Sequence, residues 1–156
     1  MTDLDEMSAQ EVISALDLEY LDGEGVWIRL LWRTDHGNAI YGLLTPTDFS
    51  ALHLLDEDEM WVHVAGDPVD MLVLHADGTH SRHVLGTHLD RGDEPAVRVP
   101  ARSWQGSRTR GEWSLVVCSL APPFSGFTLA GDDTDLSPWS DVADAARGLI
   151  RPTVSR

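Results

Sequence analysis

Two periodicities divide the chain. Ser8-Ala9-Gln10-Glu11 has the S-x-x-E spacing of a capping box, and Met7 and Val12 flank it as a hydrophobic staple. A short helix is predicted over about residues 8–20, with Val12, Ile13 and Leu16 on its apolar face and the turn residues Asp22-Gly23 after it. From residue 26 to residue 130 the pattern changes to short β-branched or aromatic runs bounded by Gly, Pro, Asp or Asn. These predict strands near 26–33, 39–44, 60–65, 69–75, 79–85, 95–99, 113–120 and 126–130. The clearest hairpin joins 69–75 to 79–85 through Ala76-Asp77-Gly78, because Asp-Gly supplies the positive φ that a tight turn needs. Strands at this spacing argue for a sandwich or barrel, and the absence of long helical patterns argues against a βαβ sheet. After Gly131 the polar run GDDTDLSP leads into a second short helix over about 138–150, with Ser137 as N-cap and Pro138 in the first turn.

Composition narrows the class. A chain of 156 residues, 42% apolar and 24% charged, can bury a core and reads as one globular domain spanning 1–156. Against 26 acidic residues stand 11 basic ones, all Arg, for a net charge of −15. That charge repels phosphate backbones and anionic lipid, so neither a nucleic-acid nor a membrane partner is expected. With no Lys in the chain, Schiff-base and aldimine chemistry is excluded. The single Cys118 admits no intrachain disulfide, and MTDLDEMSAQ carries no basic-then-apolar leader. A cytoplasmic address is the expectation.

Candidate chemistry concentrates between His53 and Gly66. Residues two apart on a strand share a face, so Glu59, Trp61 and His63 line one side together. If that side faces the interior it forms a pocket wall; if it faces outward, it is a solvated surface with Trp61 covering a neighbour. His53 lies six residues before Glu59 across the turn Asp56-Glu57-Asp58, near enough in sequence to meet it. His75, His80, His83 and His88 lie on or beside the Asp77-Gly78 hairpin, where solvation is the plainer account. Cys118, inside Leu115-Val116-Val117-Cys118, reads as a small buried thiol. Arg102, Arg108 and Arg110 form either a solvated rim or an anion site. No G-x-G-x-x-G, Walker or G-x-S-x-G spacing occurs.

The run His53-Leu54-Leu55, three acidic residues, Glu59, six residues, Gly66 resembles the first cupin motif, with Leu55 where its second His usually stands. Pro100-Ala101-Arg102-Ser103-Trp104-Gln105 resembles the second motif, with Arg102 at the Gly position and Gln105 at the His position. NAIYGLLTPTDFSALHLLDEDEMW, AGDPVDMLVLHADG, VPARSWQ and VVCSLAPPFSGFTLA are similar to the uncharacterised cupin-five subfamily, over about residues 22–131. The resemblance implies an all-β double-stranded β-helix, a jelly-roll barrel of the deoxysugar-epimerase type, with short N-terminal and C-terminal helices. It also implies a homodimer with a small-molecule ligand in the barrel. Two departures stand out. Val62 follows the Trp where relatives carry His, with His63 one place later and so on the other strand face, and Leu30 replaces a Glu in Arg29-Leu30-Leu31-Trp32-Arg33.

On that resemblance His53, Glu59 and His63 are the acid–base candidates, and Trp61, Gln105 and Arg29 are the ligand-binding ones. The superfamily's usual metal set is three His and one Glu. A neutral Gln105 is a weak ligand, so no cofactor is firmly implied; a divalent transition metal, if bound, would sit on His53, Glu59 and His63. The implied function is to bind a small polar metabolite and transform it by epimerase- or isomerase-type acid–base chemistry. The alternatives are a non-catalytic ligand-binding module and a metal-assisted enzyme such as a dioxygenase.

Overall fold

The computed structural model of the chain describes residues 2–152. Its eleven strands are β1 (Glu19–Tyr20), β2 (Trp27–Thr34), β3 (Gly37–Leu44), β4 (Ser50–Leu54), β5 (Glu59–Gly66), β6 (Val69–Leu74), β7 (His80–Leu85), β8 (Ala96–Val99), β9 (Trp104–Thr109), β10 (Ser114–Leu120) and β11 (Thr128–Leu129). They form a six-stranded sheet, β1-β2-β3-β10-β5-β8, and a five-stranded sheet, β11-β4-β9-β6-β7. The chain crosses from one sheet to the other at almost every connection after β3, which is the winding of a jelly roll.

Alternation fills the space between the sheets. Trp61, Val116 and Cys118 from the first sheet pack on Val69, Met71 and Val73 from the second. Each side chain of this size, fully buried, contributes about 1.5–3 kcal/mol. The outer faces are covered by the two chain ends. Helix α1 (Ala9–Ala15) lays Val12 and Ile13 over Leu43, Leu115 and Trp113. A 3-10 segment at Ser137–Val142 and helix α2 (Ala143–Arg147) place Trp139, Val142 and Ala146 over Leu52, Leu72 and Leu74.

The capping box forms as the spacing predicts: Ser8 Oγ accepts from the Glu11 amide and the Glu11 carboxylate accepts from the Ser8 amide. The helix is shorter than expected. It is capped at Leu16, Asp17 turns left-handed at φ 53°, and Glu19–Tyr20 pair with β2 instead. At the other end Ser137 does not cap; its amide donates to Asp135 Oδ1 at 2.9 Å, and Trp139 leaves helical geometry at φ −119°, ψ 44°. Besides β1, two strands escape the periodicity, β4 (SALHL) and β9 (WQGSRT), because both lack β-branched runs and owe their conformation to pairing, β4 with β9 and β11, β9 with β4 and β6.

Two extra residues in the first sheet decide what faces inward. In β2, Leu30 pairs with Ile40 and Trp32 with Ala39, so Leu31 is unpaired and the alternation reverses beyond it. In β5, His63 pairs with Val116 and Ala65 with Leu115, so Val64 is the extra residue and Ala65 turns out to meet α1.

Candidate functional site

A cavity of about 220 Å³ opens at the barrel end where β5 begins and β10 finishes. Its floor is polar, formed by His53, Glu59 and Glu24, and its walls are aliphatic and aromatic, among them Ile28, Leu30, Leu120 and Phe127. His53 is delivered by β4, where register sets it opposite Gln105 of β9. Its Nδ1–H donates to the Ala51 carbonyl at 2.7 Å, which fixes the ring and leaves Nε2 facing Glu24 Oε1 at 3.8 Å, outside hydrogen-bond reach. The Phe127 ring stands edge-on to His53 at 6.2 Å. Glu24 is held from behind by the Ser50 hydroxyl at 2.6 Å.

Glu59 is 6% exposed. Its Oε1 accepts from the Trp61 indole N–H at 2.9 Å, and the same N–H reaches Gln105 Oε1 at 3.1 Å. Burial pushes the Glu59 carboxyl up to about 7, with the Glu24 charge adding to it, while His53 and the bonds from Trp61 and Gln105 pull the other way. A carboxyl that is half protonated near neutrality therefore shares a cavity with an imidazole whose Nε2 is open. Burial also pushes the Cys118 thiol well up, helped by the Glu59 and Glu24 charges, so it stays a neutral core side chain.

Of the residues singled out from sequence, His53, Glu59, Trp61 and Gln105 come together, His53 and Glu59 lining this cavity and Trp61 and Gln105 bonded behind Glu59 without lining it. His63 and Arg29 do not. His63 shares the inward face with Glu59 and Trp61, but a rise of about 3.3 Å per residue carries it roughly 13 Å along the strand from Glu59. There it donates from Nε2 to the Asp67 carbonyl at 3.1 Å. Arg29 pairs with Tyr41 on the outer face and donates to the Leu16 carbonyl at 3.1 Å, tying β2 to the end of α1. Arg33 takes the inward place instead, since the extra Leu31 reverses the alternation. It donates to the Phe124 carbonyl at 2.9 Å, and Asn38 Oδ1 accepts from the Phe124 amide at 2.6 Å, so the loop bearing Phe124 and Phe127 is tied over the cavity. No sequence signal marked Glu24, Arg33 or Asn38, because a bulge and a loop closure put them there. Arg102 lies apart from the other two, exposed near Asp56; Arg108 and Arg110 line one groove, where Arg108 stacks on Phe49 and Arg110 is bound by Asp70.

A family profile described as Cupin superfamily (DUF985), Cupin_5, matches residues 10–130. The chain belongs to the Cupin_5 family. Its fold is similar to that of a protein from Shewanella oneidensis, at 28% identity and TM-score 0.86, covering 94% of this chain and 99% of that one. It is also similar to a hypothetical protein from Leishmania major, at 23% identity and TM-score 0.85, covering 92% and 99%. At 14% identity a Bacillus subtilis oxalate decarboxylase variant shares the fold, with TM-score 0.61, covering 86% of this chain and 35% of that one. No protein of curated function matches it in sequence.

The cupin superfamily raises the question of a metal, and the donors here do not fit one. Leu55 is buried at one ligand position, and the Gln105 amide oxygen at another is engaged by the Trp61 indole N–H. Among the described residues no group of three His, Cys, Asp or Glu side chains converges for a metal ion. No helix of the described residues is long and apolar enough to cross a membrane.

Proposed function

We propose that the cavity binds a small metabolite and shifts a proton on it, with His53 Nε2 as the base and Glu59 as the acid. The observation that carries this reading is the Glu59 carboxyl, pushed up to about 7 and facing the same 220 Å³ space as an imidazole nitrogen with no partner in hydrogen-bond reach. Efficient acid–base catalysts have pKa values near the working pH, and burial is the means of raising a carboxyl to that range. Glu24, behind His53, stabilises the imidazolium formed when the base takes a proton. The cavity lies below the usual 300–1,000 Å³ of drug-sized sites, which favours a compact molecule with a hydroxyl or carbonyl at the floor and carbon against the walls. Epimerisation or isomerisation next to a carbonyl requires only these two groups.

A second reading is a non-catalytic binding module, favoured by the apolar walls and by Gln105, whose amide oxygen already accepts a bond from Trp61. One experiment separates the two. Small hydroxy acids, keto acids and free sugars are screened by thermal shift, and every binder is incubated with the protein in D2O. Catalysis predicts deuterium entering the ligand at carbon; a binder that never exchanges supports the module.

We also propose a homodimer. Trp32, Met60, Val62 and Val64 present an apolar strip on the outer face of the six-stranded sheet, exposed by 48%, 38%, 37% and 44%. Light scattering at micromolar concentration should give twice the chain mass, and Val62→Asp should halve it. The mass of one chain for the native protein would contradict the pairing.

A further inference from the structure

Solvation accounts for His80 at the start of β7, but not for His75 and His83. His83 Nδ1 lies 2.7 Å from Glu94 Oε2, and a carboxylate only accepts, so Nδ1 carries the proton. In the neutral ring Nε2 is then a lone pair, and it lies 2.9 Å from Ser81 Oγ. The Ser81 hydroxyl therefore donates to His83, while one of its own lone pairs accepts from His75 Nε2 at 3.0 Å. Every bond in the series runs in a consistent direction, and one Ser81 lone pair is left for an electrophile. Both spacings fall within the 2.6–3.2 Å reach that marks a nucleophile, its base and the group orienting the base.

The fold supplies the rest of such a site. β7 is the edge strand of the five-stranded sheet, and alternation places Ser81 and His83 on one face. Glu94 comes from the segment entering β8, which touches β7 near its end: the Glu94 amide donates to the Val84 carbonyl at 2.8 Å. That bond shows that Val84 turns its backbone groups away from β6. By the antiparallel alternation Arg82, two residues earlier and directly after Ser81, turns its amide to the same open edge. The His83 and Glu94 side chains are 23% and 48% exposed, so a ligand can reach the group from solvent.

We propose that Ser81, His83 and Glu94 form an acyl-transfer site for small carboxylic esters, separate from the barrel cavity and independent of what it does. Ser81 Oγ bonds to the acyl carbon as its proton passes to His83 Nε2, and the Arg82 amide faces the developing oxyanion. The alcohol leaves with that proton, and the carbon–oxygen bond of the ester breaks. Water then adds to the acyl-serine, giving its proton through His83 to Ser81 Oγ as the acid departs. Glu94 holds the imidazolium formed in each step, and His75 positions the hydroxyl.

The test uses the full chain and a fluorophosphonate probe, which reacts with activated serine hydroxyls. One label per chain is expected, on Ser81 by peptide mass, with a burst of nitrophenolate from p-nitrophenyl acetate. Labelling should vanish in Ser81→Ala, slow about 100-fold in His83→Ala and about 10-fold in Glu94→Gln, and be unchanged in His80→Ala. No label on the native protein, a label on another residue, or an equal rate in His83→Ala would each overturn the proposal.

Discussion

His53 and His63 are two inward-facing histidines of one barrel, each pinned through one ring nitrogen to a backbone carbonyl, Ala51 at 2.7 Å and Asp67 at 3.1 Å. They differ in what the second nitrogen meets. His53 Nε2 opens on the cavity with Glu24 and Glu59 beside it. His63 Nδ1 is buried with no partner, at the far end of β5 where the cavity does not reach. The same side chain, held by the same kind of bond, is a candidate base at one end of the barrel, on β4, and packing at the other, on β5. What distinguishes them is the charge and space around the free nitrogen, set by a loop carboxylate 29 residues upstream of His53.

The sharpest way to break this contrast is to remove the charge from the cavity floor. The Glu59 pKa is higher in the native state than in the unfolded chain, so the native state binds the proton more tightly. The stabilisation this gives is fully present below the unfolded value of 4.5 and is lost as pH rises through about 7. Glu59→Gln keeps the acceptor for Trp61 and removes the ionisation. At pH 9 the variant should be more stable than the native protein by up to about 3 kcal/mol, and at pH 4 nearly equal to it, as urea denaturation would read. A variant less stable than the native protein at pH 9 would mean that the ionised carboxylate is well accommodated.

Next comes the pair of histidines. His53→Ala should slow deuterium exchange into a bound ligand about 100-fold, whereas His63→Ala should change it less than about threefold. Equal losses would remove the distinction between the two ends. The smallest effects belong to the two arginines of β2. Arg33→Ala releases the Phe124 carbonyl and should weaken ligand binding about tenfold by titration calorimetry, at a cost of roughly 1 kcal/mol in stability. Arg29→Ala, on the outer face, should leave binding unchanged and shift stability by less than about 0.5 kcal/mol.

How much of this was legible in the sequence depends on the length over which each signal acts. The capping box at Ser8, the Asp77-Gly78 hairpin and the face shared by Glu59 and Trp61 are local, so spacing alone carries them. β4 and β9 are strands because of their neighbours; nearness to Glu59 across one turn points to His53, while only the motif resemblance points to Gln105. The bulge at Leu31 has no composition to mark it, yet it exchanges Trp32 for Arg33 at the cavity. His63 does share a face with Glu59, but sharing a face is not nearness: four residues of extended chain separate the two. Glu24 reached the site by loop closure, which no periodicity reports.

Acid–base chemistry in the cavity requires a Glu59 carboxyl that is half protonated near neutrality. Carbon-13 NMR of the Glu59 side-chain carboxyl through a pH titration measures this directly, with the resonance assigned by its loss in Glu59→Gln. A midpoint close to 7 is predicted. A midpoint at or below the ordinary 4.5 would show a charged, solvated Glu59 throughout the neutral range and would contradict its role as the acid.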